Sequence, residues 1–193
     1  MKKRHDMLIA SRIEESIKVK RRILEDARVH SLIAKLAERC ITALRKGGKV
    51  IVFGNGGSAA DSQHIACELQ GRFKKNRRAL AAIALTTNAS SLTALGNDYG
   101  FDFIFSRQVE ALGKKGDCAI GISTSGNSPN VVNGIRAAKK LRLFTACLTG
   151  AHGGRLARIS GIAVKVPSQD TPLIQEAHIM IGHILCQMIE NGL

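Results

Sequence analysis

The chain has no tryptophan, one tyrosine, six phenylalanines and three prolines in 193 residues. Its core must therefore be aliphatic, and the aromatic platforms on which single-stranded nucleic acids stack are almost missing. No C-x-x-C pair occurs among Cys40, Cys67, Cys118, Cys147 and Cys186, which are odd in number and sit in apolar segments. That excludes a disulfide framework and reads as small core residues in a reducing compartment. No apolar run approaches the roughly 20 residues of a membrane span, and Met7–Ala10 is too short for the core of a signal peptide, so a cytoplasmic location is expected. The phosphate-loop pattern G-x-x-x-x-G-K-[ST] is absent as well.

Acidic residues are scarce, 15 against 29 Lys and Arg, which gives a formal charge of +14. The basic residues fall into separate clusters: Lys2, Lys3 and Arg4; Lys18, Lys20, Arg21 and Arg22; Arg72, Lys74, Lys75, Arg77 and Arg78; Lys139, Lys140 and Arg142. No nucleic-acid motif accompanies them. They read first as solvated surface and second as a field that draws a phosphorylated substrate; nucleic acid is not the expected partner.

What the chain does have is alternation. Residues 7–46 carry Ile9, Ile13, Ile17, Ile23, Leu32, Leu36, Ile41 and Leu44 at helical spacing, which predicts two helices with an apolar stripe to bury on the sheet or against another copy. Gly47-Gly48 then stops the second helix. Short apolar runs predict strands near 49–54, 80–85, 117–122, 143–148 and 162–166. Helical patterns fall at 58–70, 89–96, 102–112, 128–140, 153–159 and 171–191. Such alternation predicts an α/β fold, a doubly wound five-stranded parallel sheet flanked by helices, with ligands beyond the carboxyl ends of the strands. No linker or repeat interrupts it, so residues 1–193 are expected to form one domain, a helical arm at 1–46 followed by an α/β core at 47–193.

The stretch Gly54-Asn55-Gly56-Gly57-Ser58 leaves the apolar run Val50–Phe53 and opens a helix carrying His64 and Glu68. A strand, a glycine turn and a helix N-terminus favour an anion or polar oxygens close to the backbone. His64 and Glu68, at i,i+4, share a face where imidazole and carboxylate can hold a metal or a proton. Gly54, Gly56 and Ala59 also satisfy the dinucleotide fingerprint, but Arg77 and Arg78 stand where the ribose-binding acid belongs.

A second loop, Ser123-Thr124-Ser125-Gly126-Asn127-Ser128, follows the run Cys118–Ile122 and precedes Pro129. Its hydroxyls and the helix start behind it make a phosphate cradle without a lysine. Ser128 alone is also accounted for as an N-cap ahead of a proline at N1. The last helix opens at Thr171-Pro172 and carries Gln175, Glu176, His178 and His183 among apolar residues. Gln175 and His183 lie about 12 Å apart along a helix axis, so a common ion would require a stretched side chain or two cooperating subunits.

Together, Gly54-Asn-Gly-Gly-Ser, His64-x-x-x-Glu68, Gly96-Asn97-Asp98-Tyr99-Gly100, Phe105-Ser106-Arg107, the serine loop, and Ile174-Gln175-Glu176 with His178 and His183 closely resemble the phosphoheptose isomerases of the sugar isomerase (SIS) domain family. The resemblance runs from about Lys46 to the C-terminus. It implies aldose-ketose isomerisation of sedoheptulose 7-phosphate to D-glycero-D-manno-heptose 7-phosphate, early in activated-heptose synthesis for bacterial surface polysaccharide. It further implies a homotetramer with active sites between subunits, and one zinc ion held by His64, Glu68, Gln175 and His183. Glu68 would be the base and His183 the acid, although a carboxylate held by zinc is a weaker base. Asn55, Gly56, Gly57, Ser58, Asn97 and Asp98 would contact the sugar, with Glu68 and Gln175, while Ser123, Thr124, Ser125 and Ser128 would hold the phosphate. A non-catalytic SIS relative that binds the replication initiator shares both loops but lacks the equivalents of Glu68 and His183. Another SIS sugar-phosphate isomerase or sensor would keep the phosphate loop without the His64, Glu68, Gln175 and His183 set.

Overall fold

The computed structural model of the chain describes residues 2–193; the side chains of Lys2 and Lys3, in the first basic cluster, lie outside the described residues. Two helices, α1 (Lys2–Leu24) and α2 (Ala27–Arg45), precede an alternating series. The series runs β1 (Val50–Gly54), α3 (Gly57–Gln70), β2 (Ala82–Ala84), α4 (Ala89–Tyr99), α5 (Ile104–Leu112), β3 (Cys118–Ser123) and α6 (Pro129–Lys140). It closes with β4 (Phe144–Thr149), α7 (Gly154–Ile159), β5 (Ile162–Lys165) and α8 (Thr171–Asn191).

All strand pairs are parallel, in the order β2-β1-β3-β4-β5. This is the flavodoxin-like winding, whose order reverses between β1 and β3 and so opens a crevice beyond the carboxyl ends of those two strands. β1 and β3 are buried along their whole length, as a sheet covered on both faces requires. One face packs Val50, Val52, Ile120 and Leu148 against α2, α3 and α8; the other packs Ile51, Phe53, Ala119 and Cys147 against α5 and α6.

Two expectations shift. The second strand is only Ala82–Ala84, because Leu80 ties its N–H to Leu69 at the end of α3 rather than to the sheet. The helix expected at 102–112 divides into a 3₁₀ turn at Phe101–Phe103 and α5. Of the two alternatives for the N-terminal stripe, burial on the sheet holds for α2. α2 starts at an Asp26 cap that accepts the N–H groups of Arg28 and Val29, and buries Val29, Ile33, Leu36, Cys40 and Leu44 on the sheet. α1 instead leaves Ile9, Ile13 and Ile17 exposed at 58%, 55% and 50%.

Candidate active site

The two loops predicted to bind ligand leave β1 and β3, the neighbours at the reversal of strand order. They are bolted together: the Asn55 amide donates to Asn130 Oδ1 at 2.9 Å, and the Asn130 amide returns the bond to Asn55 Oδ1 at 2.9 Å. Gly54 must lack a side chain, since a Cβ would lie 2.7 Å from the Ile122 carbonyl oxygen, and Gly56 turns the chain at φ +55°. The backbone here is set by close approach of β3 and by the turn.

α3 and α8 then run side by side in the same direction. Gly57 faces Gln175, Ile65 faces Gly182, and His64 meets His183. The Nε2 atoms of His64 and His183 are 2.9 Å apart, so one ring donates its proton to the other, and the rings meet edge on with centroids 5.0 Å apart. Glu68 Oε1 lies 3.3 Å from His64 Nε2. One chain therefore assembles His64, Glu68 and His183, and the expectation that α8 reaches this pair across a subunit boundary is corrected for His183. The physical reason is the parallel packing of α3 and α8, which brings equivalent turns into register.

Gln175 is placed differently. Its amide lies where a Cβ on Gly57 would be, 2.6 Å from that position, at the start of α3. Gly57 and His64 are about 10 Å apart along the helix axis. Within one chain the Gln175 amide thus packs on the first turn of α3.

In the serine loop, Ser123 Oγ is 3.0 Å from Ser128 Oγ and 3.4 Å from Ser125 Oγ, and Ser123 Oγ accepts the Gly126 N–H at 3.1 Å. Ser128 occupies the N-cap position of α6 but makes no side-chain capping bond. The ordinary capping explanation therefore fails for its hydroxyl, which faces the loop interior instead. Thr124 and Ser125 line a cleft of about 390 Å³ shared with Gly150, Ser168, Gln169 and Ile174. A larger groove of about 680 Å³ lies between α4 and α5, beside Arg107, and contains none of the predicted site residues.

Ser58 is buried at the start of α3, with Asn55 half-buried and Gly56 and Gly57 exposed beside it. Asn97 and Asp98 are exposed on the last turn of α4, where the Asn97 amide donates to Asp98 at 2.8 Å; no hydrogen bond among the described residues joins them to the other site residues. Arg72 is exposed and makes no ion pair among the described residues. Cys67 is the exception to the buried cysteines, exposed on α3 beside Glu68.

A profile of the SIS domain family matches residues 11–150. The phosphoheptose isomerase of Aquifex aeolicus is 58% identical over 159 residues, covering 82% of this chain and 83% of that protein. That of Burkholderia pseudomallei is 47% identical over 193 residues, covering 100% of this chain and 98% of the relative. Among solved structures, phosphoheptose isomerase from Neisseria gonorrhoeae superposes with a TM-score of 0.90 at 42% identity, over 96% of this chain and 98% of that one. This chain belongs to the phosphoheptose isomerases of the SIS-domain family.

Two residues close to this cluster make interactions that sequence reasoning passed over. Asp61 lies one turn before His64, and its Oδ2 is buried without a hydrogen-bond partner among the described residues. Burial pushes its carboxyl up to about 6, against the opposing pull of His64. Its i,i+3 and i,i+7 spacing to His64 and Glu68 was the signal available in the sequence. Arg77, grouped above with the solvated clusters, is instead paired with buried Glu190 at 3.1 Å and donates to the carbonyls of Glu68, Leu69 and Gly71. Only the fold reveals that pairing, because 113 residues separate the two.

His64, Glu68 and His183 offer two imidazole nitrogens and one carboxylate oxygen, all within 4.8 Å of one another. This N, N, O set suits a borderline divalent ion such as zinc. The orphaned Asp61 oxygen one turn away adds negative charge to the same helix face.

Proposed function

We propose that the protein isomerises sedoheptulose 7-phosphate to D-glycero-D-manno-heptose 7-phosphate. The observation that carries this reading is that a chain belonging to the phosphoheptose isomerases gathers His64, Glu68 and His183 into one cluster and also carries a hydroxyl-lined loop at Ser123–Ser128. Ser123, Thr124, Ser125 and Ser128 take the phosphate, whose charge the N-terminus of α6 complements. Asn55, Gly56, Gly57, Ser58 and Gln175 contact the sugar, and Asn97 and Asp98 reach it from a neighbouring copy or by approach of α4.

Glu68 removes a proton from the carbon beside the ketose carbonyl, and the electron pair moves to form an enediol. The same carboxyl returns a proton to the adjoining carbon, which yields the aldose. His183 is the acid that moves the proton between the two oxygens. His64, Glu68 and His183 would hold zinc. When bound, zinc would polarise the substrate oxygens.

A homotetramer is part of this reading. α1 exposes its isoleucine stripe, and a separate patch exposes Tyr99, Phe101 and Phe103 at 51%, 62% and 47%. Two separate apolar surfaces suit two kinds of contact between copies. We place the reaction in the cytoplasm, early in activated-heptose synthesis; among the described residues no helix is long and apolar enough to cross a membrane. The replication-initiator reading is disfavoured by the presence of Glu68 and His183. To test the proposal, metal-analysed protein is mixed with sedoheptulose 7-phosphate and the aldose followed by NMR, before and after chelation. Aldose formation that chelation removes and zinc restores is the expected result; no turnover in the untreated protein sinks the isomerase reading.

A further inference from the structure

The segment after α3 is held by α8 through one stripe. His183, Gln187 and Glu190, at i, i+4 and i+7, face the same way. Glu190, 4% exposed, accepts the backbone N–H groups of Phe73, Lys74 and Lys75 at 3.1, 2.9 and 3.0 Å and the Arg77 Nε–H at 3.1 Å. Burial raises its carboxyl, but those N–H groups and the Arg77 charge outweigh burial and hold it below the usual carboxylate range. Gln187 accepts from Lys74 Nζ at 3.1 Å.

What this latch presents to the site is Phe73. Its ring packs against the His183 imidazole with centroids 5.6 Å apart and planes 31° apart, and the Lys74 ammonium lies 5.6 Å from its centroid. A metal-binding histidine ordinarily has its ring fixed by a hydrogen bond at the second nitrogen. Among the described residues, the hydrogen bond that His183 makes is through Nε2, to His64. The ring is instead held between the edge of His64 and Phe73.

We propose that Phe73 is a positioning residue, which fixes the orientation of the His183 imidazole and is itself held by the Glu190 latch. The inference rests on the isomerase reading of the same site. The Arg77 bond to the Glu68 carbonyl, 2.9 Å, ties the latch to the helix end that carries Glu68, so both reacting groups are braced from one place.

The test compares Phe73→Leu, which keeps apolar bulk and removes the ring, with Phe73→Tyr, which restores it. Zinc affinity is measured by competition with a chromophoric chelator, and kcat and KM separately with sedoheptulose 7-phosphate. Phe73→Leu is expected to weaken zinc binding about 10-fold or more, in line with losses seen for groups that orient metal ligands, and to lower kcat with little change in KM. Phe73→Tyr is expected to recover both. Glu190→Gln should lose part of both; if it fails to fold, Phe73→Leu decides. Wild-type zinc affinity and kcat in Phe73→Leu, a change confined to KM, or a Tyr variant as impaired as the Leu variant would overturn the proposal. Wild-type protein that binds zinc but leaves the sugar unchanged sinks the isomerase reading alone, and the zinc measurement still decides the role of Phe73.

Discussion

His64 and His183, 119 positions apart in sequence, meet Nε2 to Nε2 at 2.9 Å within a single chain. The contact follows from α3 and α8 packing in parallel with matching turns. It predicts the outcome of a complementation experiment. His64→Ala and His183→Ala proteins are each expected to be inactive, and co-refolding the two should restore no activity, because every chain would still lack one member of its own cluster. Recovery toward a quarter to a half of the wild-type rate would mean that the pair is completed between copies.

The hydroxyl of Ser128 sits at the start of α6 without capping it. Replacement of a working N-cap serine by alanine costs about 1 kcal/mol. Ser128→Ala is therefore expected to lower stability by less than half of that, while raising KM for the sugar phosphate several-fold. Urea unfolding and steady-state kinetics on the same preparation check both halves.

The arrangement of strands and loops was legible in the sequence because each rests on a local signal. Apolar runs marked β1 and β3, and Gly54–Ser58 and Ser123–Ser128 announced the turns that follow them. His64 and Glu68 were found from i,i+4 spacing alone. The axial distance between Gln175 and His183 was also read correctly; what it could not supply was the direction of α8 relative to α3, which places each of them against a different turn of one helix. Glu190 and Arg77 were invisible for a similar reason, since an arginine in a basic run looks solvated until the fold shows the buried carboxylate opposite. Asp61 is the one omission that spacing could have prevented.

His178 is fully buried on α8, and among the described residues neither ring nitrogen has a hydrogen-bond partner of good geometry. Burial drives its imidazole down from 6.5 to about 4, with the Thr149 backbone pulling weakly the other way. Below pH 6.5 the unfolded chain takes a proton that the folded chain refuses, so the His178 contribution is complete above pH 6.5 and is lost as pH falls toward 4. The loss amounts to about 3 kcal/mol. His178→Leu should flatten the dependence of the urea midpoint on pH across this window; an unchanged slope would assign the acid sensitivity elsewhere.

Asp61 has the opposite sign. Its folded carboxyl holds a proton up to about 6 where the unfolded one releases it at 3.8, so wild-type stability falls as pH rises through that interval. In metal-free protein, Asp61→Asn should therefore gain about 1–2 kcal/mol relative to wild type between pH 4 and 7, after allowance for a carboxyl that water still reaches. Urea titrations at the two pH values measure this directly.

The account stands on Glu68 as the group that moves the carbon-bound proton. The most direct measurement is the formation of aldose from sedoheptulose 7-phosphate, followed by NMR with wild-type protein and with Glu68→Gln at matched zinc content. The wild type is predicted to form D-glycero-D-manno-heptose 7-phosphate, and Glu68→Gln to fall by about 10²–10⁴-fold, the range associated with loss of a general base. Glu68→Gln turning over at the wild-type rate would contradict the account.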